Sequence, residues 1–402
     1  MGASGEVPKC NHNKKGIMSL PSPLLNASGR PASILIVATR QIGDVLLATP
    51  LLRSLRRAYP AAAIDVLVYA NKGSMLEGNP DCNEIITVAE HPNRREYGVL
   101  LKRIFRRYDL AVSTQANDRG HIYAFLAAPQ RVGLMPDLRR QSIWKRWSCR
   151  VWALLDNVDT HTVVQNLRLA EQMGISRHFE LVPPSNPQAK VLIASVLPSP
   201  LPSRLVVVHP FPMWRYKRWT EAGWRALIAR LHQQGYFVII TGGSDTPERE
   251  FCDSLADGER TASISGRLPL SALPALFAKA ALFVGPDTSI THLAAACGVP
   301  TLAIYGPSNP VKWGPWPVAC NADPSPWEMQ IQPWQRHGNV LLVQASAPAE
   351  LGSCVPCREE GCDRHKGSTS RCLEELPVAT VIAAACELLQ SSTEGACSEN
   401  CS

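Results

Sequence analysis

The sequence predicts an α/β protein built from two Rossmann-like halves. Two runs of alternating apolar β-rich segments and helix-period segments carry this, one from Ile34 to about residue 174 and one from Leu205 onwards. Such alternation is the signature of parallel strands with crossover helices. Between the runs lies the proline-rich stretch Pro183–Pro202, which reads as an interdomain linker. Two such halves leave a ligand cleft between them, outside the carboxyl ends of the strands.

Ile34–Ala38 reads as the first strand, Gly43-Asp44 as a turn, and Val45–Tyr59 as a helix. Ile64–Tyr69, Ile85–Val88 and Leu110–Thr114 read as further strands, and residues 150–174 as mostly helical. Ala189–Val196 is a short helix within the linker. In the second half, strands are expected at Leu205–Val208, Phe237–Thr241, Leu282–Val284 and Thr301–Tyr305. Helices are expected at Thr220–Gln234, Pro247–Leu255, Ser271–Ala278 and Ile290–Ala296, with a last one near Val378–Leu389. The resulting division is a disordered leader (1–31), a first domain (32–182), the linker (183–203) and a second domain (204–375) with a cysteine-rich loop (354–372). A C-terminal helix (376–390) and a small, polar, frayed tail (391–402) complete it. No repeat at solenoid periods is visible.

The length of 402 residues suits two domains of about 150–200 residues each. With 45% hydrophobic and 19% charged residues the chain reads as soluble and globular. No apolar run approaches the roughly 18 residues of a membrane span. The leader's apolar stretch Ile17–Leu25 is broken by Pro21 and Pro23, which argues against a signal peptide; Met18 is a candidate start. A cytoplasmic location is expected. Thirteen cysteines in so long a chain do not read as a disulfide scaffold, and most should be reduced. The formal charge of +7 is concentrated. From Arg94 to Arg150, thirteen lysines and arginines stand against four acids, whereas the remaining 28 basic and 30 acidic residues nearly cancel. A solvated helix face would explain this, and so would an acidic partner met by the first domain.

Three stretches carry candidate chemistry. In Arg40-Gln41-Ile42-Gly43-Asp44-Val45, Asp44 is either a helix cap or a general base at the cleft. His209 to Trp219 sets Arg215, Lys217 and Arg218 among aromatics. Lys217 is either a surface cation or a partner for a phosphate leaving group, and Trp219 reads as packing on the next helix. Gly285-Pro286-Asp287-Thr288-Ser289-Ile290-Thr291-His292 leads from a strand into a helix. Its first N–H groups could receive an anion, or Asp287 and Thr288 could simply cap it. His292 reads as a packing or hydrogen-bonding residue, without partners at metal spacing.

Gly43-Asp44-Val45, Lys217-Arg218-Trp219, Gly285 through Ala296, Gly298-Val299-Pro300-Thr301 and Tyr305-Gly306-Pro307-Ser308 together resemble the bacterial lipopolysaccharide heptosyltransferases, glycosyltransferase family 9. The resemblance spans roughly Ile34 to Leu389. It implies a GT-B fold, two Rossmann-like domains facing each other across a cleft. It also implies inverting sugar transfer from a nucleotide donor, typically ADP-heptose, with no required cofactor or metal. By this resemblance Asp44 matches the base and Lys217 the residue at the donor diphosphate. Asp287, Thr288, Ser289 and His292 fall in the donor phosphate and sugar loop. Glu248 matches an acidic residue at the donor ribose, and Leu268 falls near the adenine. Arg53, Arg56 and Arg119 are the candidate acceptor-side cations. The implied acceptor is an anionic inner-core glycolipid at the inner face of the cytoplasmic membrane, with peripheral contact to that anionic surface.

Cys354, Cys357, Cys362 and Cys372 form a CxxC followed by two irregularly spaced cysteines, with His365 nearby. A structural loop and a metal site are both open readings, the first favoured. The rival functions are a GT-B enzyme with another donor sugar, a UDP-sugar 2-epimerase-like enzyme, and a non-catalytic glycan-binding relative. A nicotinamide dehydrogenase is disfavoured because Gly43 stands alone where G-x-G-x-x-G would be expected. Nucleic-acid binding is disfavoured because no recognition module is present.

Overall fold

The computed structural model describes residues 30–399 except 138, 201, 331, 332, 349–351 and 353. The expected leader lies outside them apart from Arg30 and Pro31. The first sheet has six parallel strands, β1 (Ser33–Val37), β2 (Ala63–Tyr69), β3 (Glu84–Val88), β4 (Leu110–Ser113), β5 (Gln130–Met135) and β6 (Val151–Leu154), in the order β3-β2-β1-β4-β5-β6. Its helices are α1 (Ile42–Leu47), α2 (Thr49–Ala58), α3 (Arg94–Ile104), α4 (Asp118–Ala127), α5 (Arg139–Ser148) and α6 (Thr162–Gln172). The linker holds α7 (Ala189–Val196).

The second sheet has seven strands: β7 (Leu205–Val208), β8 (Phe237–Ile240), β9 (Thr261–Ser263), β10 (Leu282–Pro286), β11 (Thr301–Tyr305), β12 (Trp334–His337) and β13 (Val340–Gln344). They are ordered β12-β13-β11-β10-β7-β8-β9, with only β12 antiparallel to its neighbour. Around them lie α8 (Glu221–Gln233), α9 (Thr246–Ser254), α10 (Leu273–Phe277), α11 (Ser289–Ala296), α12 (Pro310–Trp313), α13 (Arg371–Glu374) and α14 (Val378–Glu399). The central strands are apolar on both faces because helices cover both: Ile34 to Val37 and Leu205 to Val208 are buried throughout.

Three expectations are corrected. Val45–Tyr59 is two helices rather than one. Pro50 lacks the N–H that would continue the ladder, and the Thr49 hydroxyl donates to Leu46 O instead (2.7 Å). Residues 150–174 begin with an edge strand, β6, which pairs in parallel with β5; helix α6 starts only at Thr162. Tertiary pairing overrides the local pattern there. The tail from Ser391 continues α14 to Glu399. Buried Val381, Ala384, Ala385 and Leu388 anchor that helix, no proline stops it, and extending a formed helix costs far less than nucleating one. No described helix is long and apolar enough to cross a membrane.

The halves meet at several places, two of which frame the cleft. The first turns of α1 and α11 face each other: a Cβ on Gly43 would stand 3.4 Å from the Ser289 Cβ. Below them the segment before α6 is tied to α12. His161 Nε2 pairs with Gly314 O (2.8 Å), Thr162 Oγ1 donates to Lys312 O (3.1 Å) and Asn309 Nδ2 donates to Val158 O (2.8 Å).

Candidate active site

Both sheets have the doubly wound order, so each has a switch point where helices leave in opposite directions. In the first sheet it lies between β1 and β4, and in the second between β7 and β10. Asp44 follows β1, Lys217 follows β7 and Asp287 follows β10. The topology therefore brings all three to one interdomain cleft of about 850 Å³. Thr288, Ser289, His292 and Glu248 line it as well.

Asp44 is the third residue of α1; Gln41, not Asp44, is the N-cap. Its side chain keeps only 14% of its surface exposed, and Arg40 Nε stands 3.6 Å from Oδ1, too far for a hydrogen bond. Oδ1 is buried with no hydrogen-bond partner. Burial raises the carboxyl pKa against the opposing pull of Arg40, the Gln41 backbone N–H, Lys312 and Lys217. A desolvated carboxylate with a free lone pair in a cleft is equipped to take a proton.

Across the cleft, Lys217 Nζ pairs with Asp287 Oδ2 at 2.5 Å, and Ser308 Oγ donates to the same oxygen at 2.5 Å. Burial works against both charges. Each nevertheless favours its ionised form, Asp287 below the usual carboxylate value and Lys217 above the usual amine value, because each is the other's counter-ion. An anionic ligand would therefore meet Lys217 already neutralised in part, and Asp287 would repel it. Asp287 is better suited to holding Lys217 in place and accepting hydrogen bonds from hydroxyls.

Thr288 is the N-cap of α11, its side chain accepting from Thr291 N (3.3 Å). The N–H groups of Ser289 and Ile290 have no intrahelical acceptor by position and sit at the positive end of the helix. His292 is buried and held neutral, its pKa pushed down to about 4 by burial, with Nδ1 unpartnered.

Glu248 accepts from Gly243 N (2.6 Å) through Oε1. A Cβ on Gly243 would stand 2.7 Å from Oε2, so the glycine is what lets the carboxylate fold back over the cleft. Lys312 was not among the expected site residues. Its Nζ donates to Asp156 O (2.6 Å), and burial, then the charge of Arg40, pushes its pKa down to about 8. Its sequence signal was a cation in the first turns after the strand end at Tyr305-Gly306-Pro307-Ser308.

The other expected residues lie elsewhere. Leu268 packs beside the apolar core and does not line the cleft. Arg53 pairs with Asp81 (2.7 Å) and Glu180 (3.0 Å). Arg56 donates to the carbonyls of Asp81, Pro60 and Ala62. Both fasten α2 to its neighbouring loops and line no part of the cleft. Arg119 bonds Tyr69 Oη (2.9 Å) and Glu90 O (2.5 Å), also outside it. Trp219 is buried edge-on against Trp224 of α8, as the packing reading holds.

The cysteine-rich loop braces the site. Arg215 N donates to Lys366 O (3.2 Å), Ser370 Oγ to Tyr216 O (2.7 Å) and Arg358 N to Pro307 O (2.8 Å). Arg358, Glu359 and Glu360 reach the cleft wall. Cys354, Cys357, Cys362 and Cys372 are all free thiols. Burial first, then the charges of Cys357, Cys362 and Cys354, pushes the Cys372 thiol up to about 12. Among the described residues no three His, Cys, Asp or Glu side chains are gathered as metal ligands.

The family model of glycosyltransferase family 9 (heptosyltransferase) matches residues 99–328. Lipopolysaccharide heptosyltransferase 3 of Escherichia coli is 27% identical over 365 residues, covering 88% of this chain and 98% of that protein. A glycosyl transferase family 9 structure from Veillonella parvula superposes with a TM-score of 0.68 at 21% identity, over 90% of this chain and 97% of that one. The E. coli ADP-heptose lps heptosyltransferase II superposes with a TM-score of 0.65 at 20% identity, over 90% and 99%. The fold is GT-B.

Proposed function

The chain belongs to glycosyltransferase family 9, and on that premise we propose that it moves a heptose from ADP-heptose to the lipopolysaccharide inner core, inverting the anomeric carbon without a resident metal ion. The geometry that carries this reading is the buried Asp44 carboxylate oxygen, without a hydrogen bond, on one wall of the cleft, opposite Lys217 and the start of α11. An acceptor hydroxyl gives its proton to Asp44 as its oxygen bonds to the anomeric carbon. The bond from that carbon to the diphosphate breaks, and ADP leaves from the opposite face with the electron pair.

The Lys217 ammonium and the first N–H groups of α11 meet the growing charge on the diphosphate. Asp287 keeps Lys217 in place and takes a donor hydroxyl, and the free Oε2 of Glu248 takes a ribose hydroxyl. Relatives named for lipopolysaccharide support the acceptor assignment. So does the basic stretch Arg94–Arg150, which suits an anionic glycolipid at a membrane's inner face. Transfer is tested with ADP-heptose and a panel of UDP-sugars against a truncated lipopolysaccharide acceptor. Transfer from ADP-heptose alone is expected; turnover of a UDP-sugar without ADP-heptose transfer refutes the proposal.

A further inference from the structure

Helix α5 is folded inside out. Its inward face is polar: Ser142, Lys145 and Ser148 are buried, and Lys145 Nζ bonds the Asp118 carboxylate (2.9 Å) and Ala116 O (2.8 Å). Its outward face is apolar, with Ile143 67% and Trp147 82% exposed and Trp144 beside them. Trp144 is held by its indole N–H on Asp118 (3.2 Å). A soluble helix normally shows the reverse arrangement, and bulky apolar residues on an outward face mark a surface built to be covered.

The charge around this face says what covers it. Residues 139–152 contain no acid. Arg140 and Arg150 are exposed at its two ends. Arg146 stacks over the Trp152 ring (4.6 Å); of the acids beside the helix, Asp118 is already bound to Lys145 and Asp137 stands just before its start. Indole rings flanked by arginines fit the boundary between head groups and acyl chains, with the cations on lipid phosphates.

We propose that the outward face of α5 docks on an anionic phospholipid surface, with Ile143, Trp144 and Trp147 entering the interface and Arg140 and Arg150 on head groups. This deepens the glycolipid-acceptor reading and rests on it for the presence of a membrane. The test omits the glycolipid, so that each can fail alone. Full-length protein is sedimented with phosphatidylethanolamine vesicles containing phosphatidylglycerol, and with phosphatidylcholine vesicles. Wild type should bind the first and release at high salt.

Ile143→Ser/Trp147→Ser should bind at least about tenfold more weakly, with thermal midpoint and turnover on a lipid-free oligosaccharide acceptor unchanged. Brominated acyl chains should quench more fluorescence in wild type than in Trp147→Phe. Undiminished binding of the double variant, or equal quenching of wild type and Trp147→Phe, overturns the proposal. So does a dimer that Trp147→Ser dissociates in protein that ignores vesicles; the face would then belong to a second copy. Loss of transfer to the lipid-free acceptor in wild type would count against the glycolipid-acceptor reading and leave α5 untouched.

Discussion

Asp44→Asn should make the protein more stable while removing most of its turnover. The wild-type carboxylate is nearly buried, its Oδ1 has no hydrogen bond, and its pKa is raised by burial. Leaving a buried polar oxygen unpaired costs about 1–3 kcal/mol, and more when it is charged; asparagine keeps the polar atom and loses the charge, so the gain is that difference, about 1 kcal/mol. The sign follows from linkage. Because the folded pKa lies above the unfolded one, the folded state pays to ionise Asp44 at neutral pH. That penalty shrinks as pH falls through the raised value and vanishes below the unfolded one. Asparagine removes it. In a thermal melt at pH 7 the variant should gain about 2–4 °C, with the gain fading toward acid pH. Steady-state kinetics should show kcat down by about 10²–10⁴-fold, the range for a lost general base, while ADP binding by calorimetry stays within about twofold. A variant that is less stable than wild type, or that turns over at a near-wild-type rate, refutes the assignment of Asp44 as a strained base.

The same site yields four further expectations. Lys217→Met or Asp287→Asn alone leaves a buried charge unpaired and should each cost about 3–5 kcal/mol in urea unfolding, whereas the double variant should cost well under the sum; strict additivity would show that the 2.5 Å pair is not coupled. The kcat/KM profile of wild type should fall on the acid side above the ordinary aspartate range, as Asp44 protonates at its raised pKa. It should also fall above about pH 8 as Lys312 loses its charge, and Lys312→Gln should abolish that second limb. Gly43→Val should lower kcat at least about tenfold by pushing α1 off α11, since even a Cβ there stands 3.4 Å from Ser289; Gly43→Ala should be nearly normal. High salt should raise the acceptor KM more than the donor KM, because the surplus positive charge lies in the first half; equal sensitivity would detach Arg94–Arg150 from the acceptor.

What was legible in the sequence is what strand ends decide locally. Gly43-Asp44 and Gly285 through His292 announce themselves because a turn followed by a helix start is written in consecutive residues. Doubly wound topology then sends such turns to one cleft. What was not legible depends on partners distant in the chain. Lys217 reads as either a surface cation or a phosphate partner, and nothing local reveals that Asp287, 70 residues on, is its counter-ion. Nothing local in the sequence reveals that Arg53 pairs with Asp81 and Glu180, or that Arg56 donates to the carbonyls of Asp81, Pro60 and Ala62.

The strand β6 and the polarity of α5 share one cause. Hydrophobic pattern reports a core only when apolar means inside, and around residues 139–154 that premise fails. Ile143, Trp147 and Leu154 face out, while Ser142, Lys145 and Ser148 face in. A segment that keeps its secondary structure while reversing its polarity is held by specific bonds, here Lys145 to Asp118 and Ala116, rather than by burial of its apolar side chains. Replacing Lys145 with Leu should thus fail to mend α5. It would leave the Ala116 carbonyl without its buried donor and the Asp118 carboxylate without its cation, and the thermal midpoint should drop despite the added apolar surface. A midpoint that rises instead would mean that α5 is an ordinary helix whose outward tryptophans need no partner.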